Sequence, residues 1–161
     1  MHILIATDAN WLVDDIVAAL GTDDTTFTVC RDGRAVAGQV AAMTPDLCIL
    51  DLQVGSMGGM AVTMSLRLDE SAGALPRVPI LMLLDRRADL HLARRSAADG
   101  WLIKPIDSLR LQRAAHAVAT GGTYTEGLDA EAGAVPLMVD LGTADVPADD
   151  AAAVAAVEPA T

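Results

Sequence analysis

Five short aliphatic runs divide the first 120 residues of this chain at near-regular intervals, and each is followed by a stretch with helical spacing. The runs occupy residues 3–6, 27–31, 47–50, 79–84 and 100–103. Most are continuously apolar, which predicts strands buried on both faces; the second is marked instead by its β-branched residues. Between them, residues 10–20 place Trp11, Leu12, Ile16, Val17, Ala19 and Leu20 on one helical face, ended by Gly21. Further helices are predicted over residues 32–43, capped by Asp32 and stopped at Thr44-Pro45, and over residues 60–69 and 88–98. Asp107 caps a last one, with Leu111, Ala115 and Val118 along one face. Strands that alternate with helices in this way predict an α/β fold, a doubly wound five-stranded parallel sheet covered on both sides.

The chain's 161 residues suit one domain of ordinary size, and 52% of them are hydrophobic, enough for a substantial core. Composition changes near Gly121-Gly122. Residues 1–120 hold all 11 basic residues and 14 of the 22 acids, whereas residues 121–161 hold 8 acids and no Lys or Arg. The expected organisation is a domain over 1–120 and an acidic Ala/Asp/Pro-rich tail over 121–161, whose one-sided charge predicts disorder. Residues 135–141, VPLMVDL, are the one tail stretch apolar enough to dock. A formal charge of −11 argues against sequence-independent nucleic-acid binding, which needs a basic surface. No run approaches the ~18 apolar residues of a membrane span, and residues 1–10 lack a basic leader, so the expected address is cytoplasmic. Cys30 and Cys48 form no CxxC motif and read as small buried hydrophobes.

In an open parallel sheet, function sits where the carboxyl ends of the strands converge. Asp8 follows the first run, Asp51 the third, Leu84-Asp85 the fourth and Lys104 the fifth. Two carboxylates and an ammonium at one edge offer hard oxygen ligands for Mg²⁺. A carboxylate beside such a cation and a lysine is a candidate nucleophile toward a phosphoryl group. Lys104 is the chain's one lysine among ten arginines, and its compact head group suits neutralisation of phosphoryl oxygens. Asp85 reads as a helix cap, and Asp8 as a metal ligand or the N-cap of the first helix. Scattered His2, His91 and His116 form no metal or catalytic pattern, and no residue is left to activate water, so a hydrolytic enzyme is disfavoured. The Gly-rich turn over residues 55–59 lacks the Lys-Ser/Thr of a phosphate loop.

The segments HILIATD, PDLCILDLQVGSMGGM, PRVPILMLL and AADGWLIKPID, in this order and spacing, resemble the response-regulator receiver domain, the CheY-like phosphoacceptor module of two-component signalling. The resemblance covers residues 2 to about 119. It implies a flavodoxin-like (βα)5 fold with strand order 2-1-3-4-5. It implies that Asp51 accepts phosphate from a histidine kinase, phosphotransfer protein or small phosphodonor. Asp8, Asp51 and the backbone carbonyl of Gln53 would ligate Mg²⁺, and Lys104, followed by a cis peptide bond, would contact the phosphoryl group. The chain also departs from the family pattern. Thr7 stands where a second acid is usual, which implies a weakened Mg²⁺ site. Leu84 replaces the coupling hydroxyl, Asp85 a small residue, Gly55 a proline, and Trp101 the smaller switch aromatic.

These features predict a stand-alone, atypical receiver, not an enzyme, that signals by protein contact. The expected contact surface is formed by the fourth helix, fifth strand and fifth helix, where receivers dimerise or bind targets, so a homodimer is among the implied partners. Arg86, Arg87, Arg94, Arg95, Arg110 and Arg113 fall there, with Leu90, Leu92 and Trp101 as apolar contacts between them and the acidic tail as a covering segment. The rival reading is a pseudo-receiver, a phosphorylation-independent interaction module. Thr7 and Leu84 favour it; Asp51 with Lys104-Pro105 favours phosphorylation.

Overall fold

The computed structural model describes residues 1–127. Strands β1 (His2–Ala6), β2 (Thr26–Cys30), β3 (Leu47–Asp51), β4 (Ile80–Leu84) and β5 (Gly100–Ile103) alternate with helices α1 (Asn10–Leu20), α2 (Val36–Ala42), α3 (Gly59–Ser71), α4 (Leu90–Ser96) and α5 (Ser108–Ala119). A sixth strand, β6 (Tyr124–Thr125), follows α5. All pairings are parallel, in the order β2-β1-β3-β4-β5-β6. The expected order 2-1-3-4-5 therefore holds, with β6 added outside β5.

Every residue of β3 and β4 is buried, because helices cover both faces of the sheet. Successive residues serve opposite layers. Ile3, Ile5, Ile49, Leu81 and Leu83 pack against α1 and α5 through Leu12, Ile16, Leu111 and Val118. Leu4, Ala6, Cys48 and Leu50 pack on the other side with Val36, Val40, Val62 and Leu66. Each such aliphatic side chain contributes about 1.5–3 kcal/mol through burial. Cys48 is fully buried, and burial pushes its thiol up to about 12 despite the opposing charge of Arg67.

Local details differ from expectation where neighbours decide them. In α1 the buried stripe is Leu12, Ile16 and Ala19, while Trp11 is 56% and Val17 38% exposed. Trp11 and Val17 each lie about 100° round the helix from a buried neighbour, Leu12 or Ile16, and so fall outside the stripe. Asp32 caps a short 3-10 turn, Gly33–Ala35, by accepting from the Arg34 N–H at 2.9 Å, and the α-helix begins only at Val36. Asp107 caps α5 through the Arg110 N–H at 2.9 Å. Helix α4 ends on Ala97 at φ 59°, a left-handed conformation that favours glycine.

The chain stays paired beyond residue 120, as β6 meets β5 in the register Gly100↔Tyr124 and Trp101↔Thr125. The rest of the expected acidic tail, including residues 135–141, lies outside the described residues.

Candidate functional site

The parallel register brings the strand ends together. Ala6 pairs with Leu50, Asp51 with Leu83 and Leu84 with Ile103, so the residues after β1, β3, β4 and β5 meet at one edge of the sheet. Asp51, the last residue of β3, is only 3% exposed. Its carboxylate is held by three donors. Lys104 Nζ lies 2.7 Å from Oδ1, the Gln53 N–H donates to the same oxygen at 3.1 Å, and Thr7 Oγ1 donates to Oδ2 at 2.8 Å. Charge-assisted bonds of this kind are about twice as strong as neutral ones. They fix the carboxylate in place at the end of β3.

Lys104 reaches the site through the turn after β5. Its N–H donates to the Leu84 carbonyl at 2.8 Å, and the Lys104-Pro105 bond is cis, as the resemblance implied. Its ammonium also bonds Asp85 Oδ1 at 3.0 Å. Asp85 is therefore not a helix cap. The 3-10 turn Arg87–Asp89 that opens toward α4 starts at Arg86, with no side-chain cap, and Asp85 turns back to share the lysine. The other oxygen of Asp85 is buried without a hydrogen-bond partner.

Asp8 is exposed and makes no side-chain cap bond to α1, whose N-cap is Ala9; the capping reading of Asp8 is thus overturned. The Ala9 N–H donates instead to Thr7 Oγ1 at 3.2 Å, so one threonine hydroxyl steadies the start of α1 and also bonds Asp51. The Asp8 carboxylate lies beside the loop after Asp51, with Oδ2 3.5 Å from where a Cβ on Gly55 would stand. The Gly-rich turn has a packing role here, since a Cβ on Gly59 would come within 2.5 Å of the Asp51 carbonyl oxygen.

The resemblance implies Mg²⁺, and the donors fit it in kind: two carboxylates and a carbonyl are hard oxygen ligands. No group of three or more His, Cys, Asp or Glu is placed to hold a metal among the described residues, so a metal here would rely on two carboxylates and a carbonyl. Thr7, which occupies the position of a further acid, is a hydrogen-bond donor to Asp51. The contact that Gln53 makes with Asp51 is through its N–H.

Leu84 and Trp101 share one buried apolar cluster with Met82 and Ala93. Leu84 is fully buried and Trp101 only 5% exposed, so Trp101 does not serve as a surface contact between the arginines of the α4–β5–α5 face. Its indole N–H donates to the Glu126 carbonyl at 2.9 Å. Leu90 and Leu92 are half-buried, Arg86 pairs with Asp89 at 3.5 Å, and Arg110 pairs with Asp107 and Glu126. Three contacts are not legible in the sequence: Thr7 as a donor to Asp51, Asp85 as a partner of Lys104, and Glu126 across β5. No helix among the described residues is long and apolar enough to cross a membrane.

A family model described as the response regulator receiver domain matches residues 3–116. The chain is 31% identical over 149 residues to the transcriptional regulatory protein CseB of Streptomyces coelicolor, covering 87% of this chain and 61% of that protein. It is 29% identical over 110 residues to the response regulator PleD of Caulobacter vibrioides, covering 68% of this chain and 24% of that protein. The chain thus spans less than two thirds of the length of these curated relatives. Among solved structures, the signal receiver domain of a signal transduction histidine kinase from Syntrophus aciditrophicus aligns with a TM-score of 0.65 at 22% identity, covering 74% of this chain and 90% of that one. The chemotaxis response regulator CheY4 of Vibrio cholerae aligns at 0.64 and 21% identity, covering 73% and 97%. At these identities the structural matches speak for the fold.

Proposed function

Because the chain belongs to the response regulator receiver domain family, we propose that it acts in two-component signalling by accepting a phosphoryl group on Asp51. The observation that carries this reading is the buried Asp51 carboxylate, held by three donors and 2.7 Å from the chain's one lysine. In the transfer, an Asp51 carboxylate oxygen attacks phosphorus as the P–N bond of a phosphohistidine, or the P–O bond of a small acyl phosphate, breaks. The bonding pair leaves with the imidazole nitrogen or carboxylate oxygen, and Asp51 becomes an acyl phosphate. Lys104 Nζ stays beside the attacking carboxylate and neutralises charge gathering on the phosphoryl oxygens. Asp8, Asp51 and the Gln53 carbonyl would hold Mg²⁺, which when bound supplies further neutralisation of that charge. Output passes by protein contact through the α4–β5–α5 face, and the reading places the chain in the cytoplasm.

A second reading, a phosphorylation-independent interaction module, is favoured by one group of contacts. Thr7 occupies Asp51 Oδ2, Asp85 competes for Lys104, and Leu84 offers no hydroxyl to a phosphoryl group. Incubation with Mg²⁺ and acetyl phosphate separates the two. The first reading expects one added phosphoryl mass that Asp51→Asn abolishes; an unchanged mass supports the second.

A further inference from the structure

The outer edge of β5 carries an unusual seal. The backbone bonds at the two ends of β6 are long, with Tyr124 N–H to the Asp99 carbonyl and Glu126 N–H to the Trp101 carbonyl both at 3.4 Å. The short contacts come from Glu126. Its carbonyl accepts the Trp101 indole N–H at 2.9 Å, its Oε2 accepts the Ile103 N–H at 2.8 Å, and its Oε1 pairs with the Arg110 guanidinium. Arg87 adds a bond to the Gly127 carbonyl at 3.2 Å. A Cβ on Gly100 would stand 2.8 Å from the Tyr124 carbonyl oxygen, so glycine there permits the close approach.

We propose that the β5 edge, with Trp101, the Ile103 N–H and Arg110, is a docking site for an extended glutamate-bearing peptide, and that the chain's own residues 124–127 occupy it as a removable strap. An exposed sheet edge accepts a further strand through main-chain bonds, while side-chain contacts supply selectivity. Here the strand is only two residues long, the bonds at its ends are long and one carboxylate adds two short contacts, so a competing strand has little main-chain pairing to undo. Arg110 is held above its ordinary value chiefly by its hydrogen bond to Glu126, as expected of a paired guanidinium. The strap is tethered to α5 through residues 120–123, and a short tether supplies an effective concentration on the order of millimolar. A free peptide therefore meets a closed edge unless the strap is weakened. The strap lies across the face proposed for output and rests on that reading only for the identity of what displaces it.

The test uses the full chain and no phosphoryl donor, so its outcome is independent of chemistry at Asp51. Glu126→Ala removes the anchor; Tyr124→Pro removes a ladder donor at a half-buried position. Amide exchange at Ile103 should quicken at least tenfold in Glu126→Ala, with protection in β1 and β3 unchanged. A labelled synthetic peptide of residues 121–127, GGTYTEG, should bind both variants at least tenfold more tightly than the unaltered chain, and the same peptide with Glu replaced by Ala should not. Equal peptide affinity across the three proteins, no binding to either variant, or unchanged exchange at Ile103 would overturn the proposal.

Discussion

At the amino ends of β4 and β5, Arg67 and Arg77 face Glu70 and Asp99; at the carboxyl ends of β3 and β5, Lys104 faces Asp51 and Asp85. The first group is balanced, two cations to two anions. Arg67 bonds Glu70 at 3.0 Å and Asp99 at 2.6 Å, and Arg77 repeats the pattern at 3.0 and 2.6 Å. Asp99 Oδ2 also accepts the Ile80 N–H at 2.8 Å, which ties the network to the start of β4. The second group has one cation for two anions, with Asp8 close by and one Asp85 oxygen left unpaired. A cluster built to hold the fold satisfies its members. The other leaves its one cation divided between two carboxylates, as the proposed phosphoacceptor site requires.

The sharpest test of this contrast is a pair of isosteric changes. Asp99→Asn leaves two guanidiniums short of a charged partner and should cost about 2–4 kcal/mol in a denaturant titration. Asp85→Asn removes a like charge from a crowded site and should alter stability by less than about 0.5 kcal/mol. Similar losses for the two would erase the distinction between the clusters.

Thr7→Asp tests the site from the other side. It deletes the hydroxyl donor to Asp51 and places a second carboxylate within hydrogen-bond range. Without Mg²⁺ the protein should lose about 1–3 kcal/mol, and Mg²⁺ affinity should tighten about tenfold as ligand charge increases. A Mg²⁺ titration giving equal affinity for both proteins would show that Thr7 does not limit the metal site.

Acid should act on the balanced cluster. Burial opposes ionisation of Glu70, but hydrogen bonds from Arg77 and Arg67 outweigh it and hold its carboxyl below the usual carboxylate range. Its stabilising contribution is therefore complete above the ordinary glutamate value and is lost as pH falls through the lower folded value. Glu70→Gln should flatten the acid limb of a stability profile; an unchanged limb would locate the acid sensitivity elsewhere. The smallest effect expected is at Trp101. With Leu84 unable to bond a phosphoryl group and the indole held by Glu126, acetyl phosphate should move Trp101 emission little in a Trp11→Phe background. A large shift would reveal another coupling route.

The strand order and the positions of Asp51 and Lys104 were legible because aliphatic runs end abruptly on them, and a parallel sheet gathers such ends. The contacts around them were not. Thr7 reads along the chain as a missing acid; that its hydroxyl turns to Asp51 depends on β1 lying beside β3. Asp85 reads as a cap until the turn after β4 is seen to face Lys104. Strand β6 has two residues and no periodicity, and Glu126 is one of eight acids in a segment whose composition signals disorder.

Cys48 has a consequence for measuring all of this. Its sulfur is sealed in the core, and at about 12 its thiol is almost wholly protonated at neutral pH, whereas alkylating reagents attack the thiolate. Modification therefore waits for a molecule to open far enough to wet β3. The rate at which a thiol reagent consumes Cys48 becomes a clock for rare opening, readable by mass without a probe or denaturant. It would rank the variants above under the conditions in which the protein works.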